Sequence, residues 1–170
     1  MAALLRLLAP AKLNLMLHIT GRRDDGYHLL ETVFQFIDLC DWLEFEATDD
    51  GNIARRQTNS PVATADDILL RTARLLQSRY EVSRGVNIGI DKQIPIGGGL
   101  GGGSSDAATC LLALNRLWEL GLGLDQLAGI GLELGADVPV FVGGKAAWAS
   151  GIGEQLQPVE LELPIYLLID

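Results

Sequence analysis

Between Pro95 and Thr109 the chain reads PIGGGLGGGSSDAAT, and from Gly97 to Gly103 every residue except Leu100 is glycine. Glycine loses more backbone freedom on ordering than any other residue, so a packed domain collects it only where main chain must come close to something. A flexible linker would be flanked by polar or proline-rich sequence. This run is flanked by Ile94, Pro95 and Ile96, contains Leu100 and leads straight into a helical pattern. A dinucleotide loop fits the regular expression, through Gly97, Gly99 and Gly102, but not its context. Such a loop follows a strand directly and needs an acid at the end of the next strand. Here Asp91, Lys92, Gln93 and Pro95 intervene, and Glu119 falls inside a helical pattern. A Walker A loop has its spacing in Gly98 and Gly103, but Ser104 stands where the lysine must be. What survives is a phosphate cradle. Bare backbone amides approach the anion, the following helix offers its positive end, and Ser104 and Ser105 can donate hydroxyls or ligate Mg²⁺. Asp106 would sit in the first turn of that helix.

The rest of the chain limits what such a cradle can serve. Its 170 residues suit one domain with a real core, and 48% of them are hydrophobic. A net charge of −9 argues against nucleic acid and against an anionic membrane surface, both of which call for a basic face. A small anionic ligand needs only a local positive field. Cys40 and Cys110 give neither a disulfide framework nor zinc spacing, which fits a reducing cytoplasm. Two histidines, His18 and His28, make a histidine metal site a poor expectation. The opening MAALLRLLAPAKLN is broken by Arg6 and too short in its apolar run for a signal peptide, and no segment is long enough to span a bilayer.

Periodicity places the elements. Strands are expected at 4–8 and 12–19, the second with Leu13, Leu15, Leu17 and Ile19 on a buried face and Lys12, Asn14, Met16 and His18 on the other. A polar turn follows at 21–26. Further strands are expected at 31–37, 42–47, 86–90, 140–142, 146–148 and 165–169, and a loop at 49–60. Helices are expected at 64–80, capped by Thr64 with Asp67 three residues on, at 104–120, and at 125–134 with Asp125 as cap. On the first of these, Arg71, Arg74 and Arg79 form the solvated side. In this reading Asp137 follows a helix C-terminus, where an acid is electrostatically disfavoured, and Pro139 holds Val138 extended. An awkward, rigid carboxylate suits a functional site.

The motif PIGGGLGGGSSDAAT resembles the central ATP-binding motif of the GHMP small-molecule kinases. Two flanks narrow the resemblance: PAKLNLMLHITGRRDDGYHLLETVFQFID at 10–38 and LGADVPVFVGGKAA at 134–147. They are similar to the branch of that family whose substrate is a CDP-linked methylerythritol of the non-mevalonate isoprenoid route. The resemblance covers essentially the whole chain. It implies an α+β fold with the GHMP-kinase N-terminal architecture, a mixed β-sheet backed by helices that includes a ribosomal-protein-like left-handed βαβ unit. It implies that residues 1–170 are the N-terminal, ATP-binding domain and that a C-terminal domain lies outside them. The expected reaction is ATP-dependent phosphorylation of the 2-hydroxyl of that substrate.

Site residues follow from the same resemblance. Lys12 and Asp137 match the catalytic pair. Asp137 would accept the hydroxyl proton, and Lys12 would keep it ionised and orient the attacking oxygen. Pro95, Ile96, Gly97, Gly98, Gly99, Leu100, Gly101, Gly102, Gly103, Ser104 and Ser105 would hold ATP, with Ser105 also on Mg²⁺. Lys92 would help with phosphate, and Asp67 stands at the nucleoside position. Tyr27 would stack on cytosine, His28 would read its edge, and Asn14 would join them at the substrate. The rivals are a GHMP kinase acting on a sugar, mevalonate or homoserine, a nucleotide-binding module without catalysis, and a Rossmann dehydrogenase.

Overall fold

Leu43 and Phe45 alternate with Trp42, Glu44 and Glu46, the period that buries one face of a strand and wets the other. They lie in the second half of β2 (His28–Thr48), which is the spine of the molecule. The computed structural model describes residues 4–161 except Asp25, Tyr27 and residues 57–66. Strand β1 (Leu4–Arg22) runs antiparallel to β2 along its length. The other edge of β2 is divided. Strand β4 (Gly85–Asp91) takes Trp42–Thr48, and β5 (Ala147–Ser150) takes Thr32–Phe34. Strand β3 (Ile53–Arg55) joins β4 in parallel and β6 (Gln155–Pro158) joins β5 antiparallel, so the sheet is mixed.

Four helices complete the described residues: α1 (Ile68–Arg79), α2 (Gly102–Leu117), α3 (Leu124–Leu134) and α4 (Val138–Gly143). Leu69, Ala73 and Leu76 of α1 and Leu111 and Leu114 of α2 enter one core with Leu43, Phe45, Val86 and Ile88 of the sheet. Each such Leu or Phe, fully withdrawn from water, contributes about 1.5–3 kcal/mol. Ala107, Ala108, Cys110 and Ala113 keep the buried side of α2 thin, so its N-terminus and the glycine loop before it come close to the sheet.

Several expectations are corrected. The strands expected at 4–8 and 12–19 are one strand, as are those at 31–37 and 42–47, because pairing along the whole hairpin carries the chain through its irregular positions. Gly21 and Arg22 belong to β1, and β3 and β6 occupy stretches with no strand pattern. Helix α1 is capped by Asp67 itself; Thr64 lies outside the described residues, as does the strand expected at 165–169. Helix α3 begins at Gly123, whose N–H donates to the Gln126 side chain at 3.0 Å, and Asp125 is in its first turn.

Two corrections bear on the site. Val140, Phe141 and Val142 are helical, not extended: Pro139 sits in the first turn of α4, where its missing N–H costs nothing, and tertiary burial outweighs β propensity. And beyond Pro10 the buried side chains of β1 are Ala11 and Lys12 rather than the leucines, while from Leu17 to Thr20 both faces are exposed. Lys12 is 5% exposed, whereas Leu15, Leu17 and Ile19 are 44%, 53% and 67% exposed. Phe34, Phe141 and the glycine loop cover the Lys12 side, which inverts the assignment that hydrophobicity alone gives.

Candidate active site

Lys12 sits where β1 shifts register against β2, between the pairs Pro10–Cys40 and Lys12–Phe36. Its backbone N–H donates to the carbonyl of Leu100, 2.9 Å away, which ties strand β1 to the glycine loop. Its ammonium donates to Asn14 Oδ1 at 2.5 Å, faces Asp137 Oδ2 at 3.5 Å and lies 5.4 Å from the centroid of the Phe34 ring. Burying an ammonium is costly unless it is paired, and here it is paired.

Asp137 is the N-cap residue of α4, with φ −85° and ψ −10°, and its carboxylate takes no capping bond. The expectation of a carboxylate opposed by a helix dipole is therefore reversed: Asp137 stands at the favourable end of α4. Its side chain is one-third exposed, so one side is held by Lys12 and the other is open.

The glycine loop walls a cleft of about 160 Å³ with Ile68, Lys92, Asp106 and residues 95–103. Gly97, Gly99 and Gly101 all have φ between +72° and +81°, a region that favours glycine. At Gly101 the space is closed as well. A Cβ there would stand 2.8 Å from Phe141 Cζ and 3.1 Å from Lys12 Cε. Phe141 is pinned in turn by stacking on Phe36, with ring centroids 5.2 Å apart.

Beside the loop, Lys92 is held by two buried carboxylates, Asp41 Oδ2 at 2.6 Å and Asp106 Oδ2 at 2.7 Å. Asp41 Oδ1 accepts the backbone N–H groups of Gln93 and Ile94, fixing the main chain that enters the loop. Burial would lower the Lys92 pKa, but Asp106 and Asp41 outweigh it and hold it above its usual value. Burial pushes the Asp106 carboxyl up to about 7, against the pull of Lys92 and with some help from Asp41. Asp106 Oδ1 is buried and has no partner among the described residues.

The remaining expected residues divide. Ser104 faces Gly135 on the α3–α4 turn, and neither it nor Ser105 lines the cleft. Ser105 is turned into the interior with its hydroxyl sealed from solvent, whereas Asp106 lines the cleft although its Oδ1 is likewise sealed. Asp67 has both oxygens committed: Oδ1 caps α1 through the Leu69 and Leu70 N–H groups, and Oδ2 pairs with Arg55 Nε at 2.8 Å. Ile68, next to it, reaches the cleft. His28 is exposed at the start of β2, opposite Arg22 and far along the hairpin from Lys12. Tyr27 lies outside the described residues. No group of three or more His, Cys, Asp or Glu able to hold a metal occurs among the described residues.

Reading the sequence missed Asp41, Phe141 and Thr32. Asp41 did leave a signal: it shares the inward face of β2 with Leu43 and Phe45, where a charge is tolerated only with a partner.

A glycine loop clamped to a buried lysine, with a carboxylate across from it, sets a candidate anion cradle beside a paired acid and base. The family model "GHMP kinases N terminal domain" matches residues 67–145. The chain belongs to the GHMP kinases and has the fold of their N-terminal domain. It is 62% identical over 161 residues to a curated 4-diphosphocytidyl-2-C-methyl-D-erythritol kinase from Nitrosococcus oceani, covering 95% of this chain and 58% of that one. It is 56% identical to one of the same name from Methylococcus capsulatus, covering 97% and 57%. A crystal structure of 4-(cytidine 5'-diphospho)-2C-methyl-D-erythritol kinase superposes with a TM-score of 0.81 at 40% identity, covering 93% of this chain and 56% of that one. The chain thus spans somewhat more than half the length of the relatives it matches. A Methanococcus jannaschii mevalonate kinase, at 18% identity and TM-score 0.63, shares the fold.

Proposed function

We propose that this chain carries the ATP cradle and the catalytic pair of a kinase that phosphorylates the 2-hydroxyl of 4-diphosphocytidyl-2-C-methyl-D-erythritol, in non-mevalonate isoprenoid precursor synthesis. The observation that carries the proposal is the placement of the Lys12–Asp137 pair directly against the glycine loop, through the Lys12 N–H to Leu100 bond. In the reaction the acceptor hydroxyl attacks the γ-phosphorus of ATP, the bond to the ADP oxygen breaks, and the hydroxyl proton passes to the Asp137 carboxylate. Lys12 faces that carboxylate and offers a donor to the attacking oxygen. The loop amides and Lys92 face the phosphates, so the chain's own contribution is positioning and charge stabilisation, which is most of what phosphoryl transfer asks of a protein. Mg²⁺, arriving with ATP, would supply charge neutralisation, and Asp106, which lines the cleft, is the carboxylate of this chain that would hold it. The proposed substrate contacts are Asn14 beside Lys12, with Tyr27 and His28 for the cytosine. The free thiols of Cys40 and Cys110 accord with a cytoplasmic enzyme.

The test is Asp137→Asn in a protein of its relatives' full length. Transfer to the CDP-linked substrate should fall by roughly 10²–10⁴-fold, the usual contribution of a general base, with ATP affinity retained. Turnover within a few-fold of the parent refutes the assignment of Asp137. A parent that phosphorylates mevalonate or homoserine in preference refutes the assignment of substrate.

A further inference from the structure

Thr32 is fully buried on β2, eighteen residues along the chain from Asn14, and no part of the reaction above uses it. Its hydroxyl lies 2.6 Å from the carbonyl oxygen of Met16 and 2.8 Å from Asn14 Nδ2. A carbonyl can only accept, so the single hydroxyl proton of Thr32 goes to Met16. The Thr32 oxygen must then accept from Asn14, which forces the Asn14 amide to turn its nitrogen toward Thr32 and its oxygen toward Lys12. There Oδ1 stands 2.5 Å from the Lys12 ammonium, a group that can only donate. The relay has an obligate acceptor at one end and an obligate donor at the other, so it runs in one direction only. The backbone is shaped for it. Strand β1 gains one residue against β2 between the pairs Asn14–Phe34 and Leu17–Thr32, and Met16, within that bulge, is outside the regular ladder and presents its carbonyl to a side chain.

We propose that Thr32 is a positioning residue, which fixes the Asn14 amide and through it holds the Lys12 ammonium between Asn14 and Asp137. One Asn14 N–H remains unspent by the relay. The consequence for turnover rests on the kinase reading; the locking of the amide does not.

The experiment compares Thr32→Val, Thr32→Ser and the parent at the relatives' full length, with Thr32→Ala as a second hydroxyl-free variant should the valine protein fail to fold. Two readouts are taken: hydrogen exchange of the Asn14 side-chain amide by ¹H–¹⁵N NMR, and the split between kcat and the KM for ATP. Without the hydroxyl, Asn14 amide exchange should quicken about tenfold, the scale of one lost hydrogen bond, and kcat should fall by a similar factor. The KM for ATP should stay within about twofold, since ground-state nucleotide binding is untouched. Thr32→Ser should restore both. If the hydroxyl-free variants leave exchange and kcat at parental values, the inference is wrong. If serine fails as badly as valine, the role is packing and the inference is again wrong. If the parent shows no transfer while amide exchange still responds to the hydroxyl, the relay stands and the kinase reading falls.

Discussion

Replacing Gly101 by alanine tests the clamp between the glycine loop and Lys12. Two terms set its size. The backbone there has φ +73°, and an L-residue in that region costs roughly 1–2 kcal/mol. The added methyl would also stand 2.8 Å from Phe141 Cζ, 3.0 Å from Phe141 Cε2 and 3.1 Å from Lys12 Cε. Phe141 cannot swing away without breaking its stack on Phe36, so the site is over-packed, typically a further 1–3 kcal/mol. Gly99→Ala is the internal control: its φ is +72° and nothing lies within 4 Å of its Cβ, so it carries the backbone term alone. The difference between the two variants is then the steric term, about 2 kcal/mol. For a chain of this size that separates their melting temperatures by roughly 4–8 °C. Differential scanning calorimetry at neutral pH measures it. Equal melting temperatures within about 2 °C would mean that the loop yields freely and that Gly101 does not clamp Lys12.

Other expectations follow from the buried charges. Asp106 has its pKa raised in the folded chain from 3.8 to about 7, so the stability it contributes is fully present below about pH 4 and is lost as pH rises through 7. Asp106→Asn should therefore flatten the melting temperature between pH 4 and 8, and an unchanged slope in a pH series of melts would exclude Asp106 as its source. Asp67→Ala removes the cap of α1 and strands the buried Arg55, at a cost of about 3–5 kcal/mol, whereas Asp67→Asn should retain part of the cap; urea titration orders the two, and equal losses would count against a capping role. Lys92→Met leaves Asp41 and Asp106 facing each other without a cation. It should weaken ATP binding in calorimetry and lower the melting temperature together, and a loss of affinity at parental stability would show that Lys92 acts on nucleotide alone.

The glycine loop and the helices that became α1 and α2 were legible in sequence because each leaves a local mark, a run of one residue type or a 3.6-residue period; the pairing of Lys12 with Asp137 was implied only by the resemblance to a family. What escaped needed tertiary information. Val140, Phe141 and Val142 form a helix although each favours a strand, since burial against α2 and α3 decides the matter over six residues. Leu15, Leu17 and Ile19 of β1 are hydrophobic and outward, because which face of a strand is buried depends on what covers it. Thr32 has no signature at all: its role exists only through a bulge that shifts Met16 toward it.

The long hairpin works as a ruler. Lys12 and Asn14 lie on one of its strands, and Thr32 and Asp41 on the other, so one set of cross-strand pairings spaces Lys12 and Asn14 against the main chain that enters the glycine loop. Shifting a strand by one residue turns every side chain to the opposite face. An insertion within either strand between Lys12 and Asp41 would thus exchange Lys12 for a leucine or Asp41 for a neighbour, disabling two sites at once. A change of length beyond the Arg22–His28 pair would leave the register of both strands intact but would displace Tyr27, which with His28 makes the proposed cytosine contacts. Sequence drift along this hairpin is therefore confined to substitution, and two of its three register shifts, the one at Lys12 and the one that holds Met16, must be inherited together.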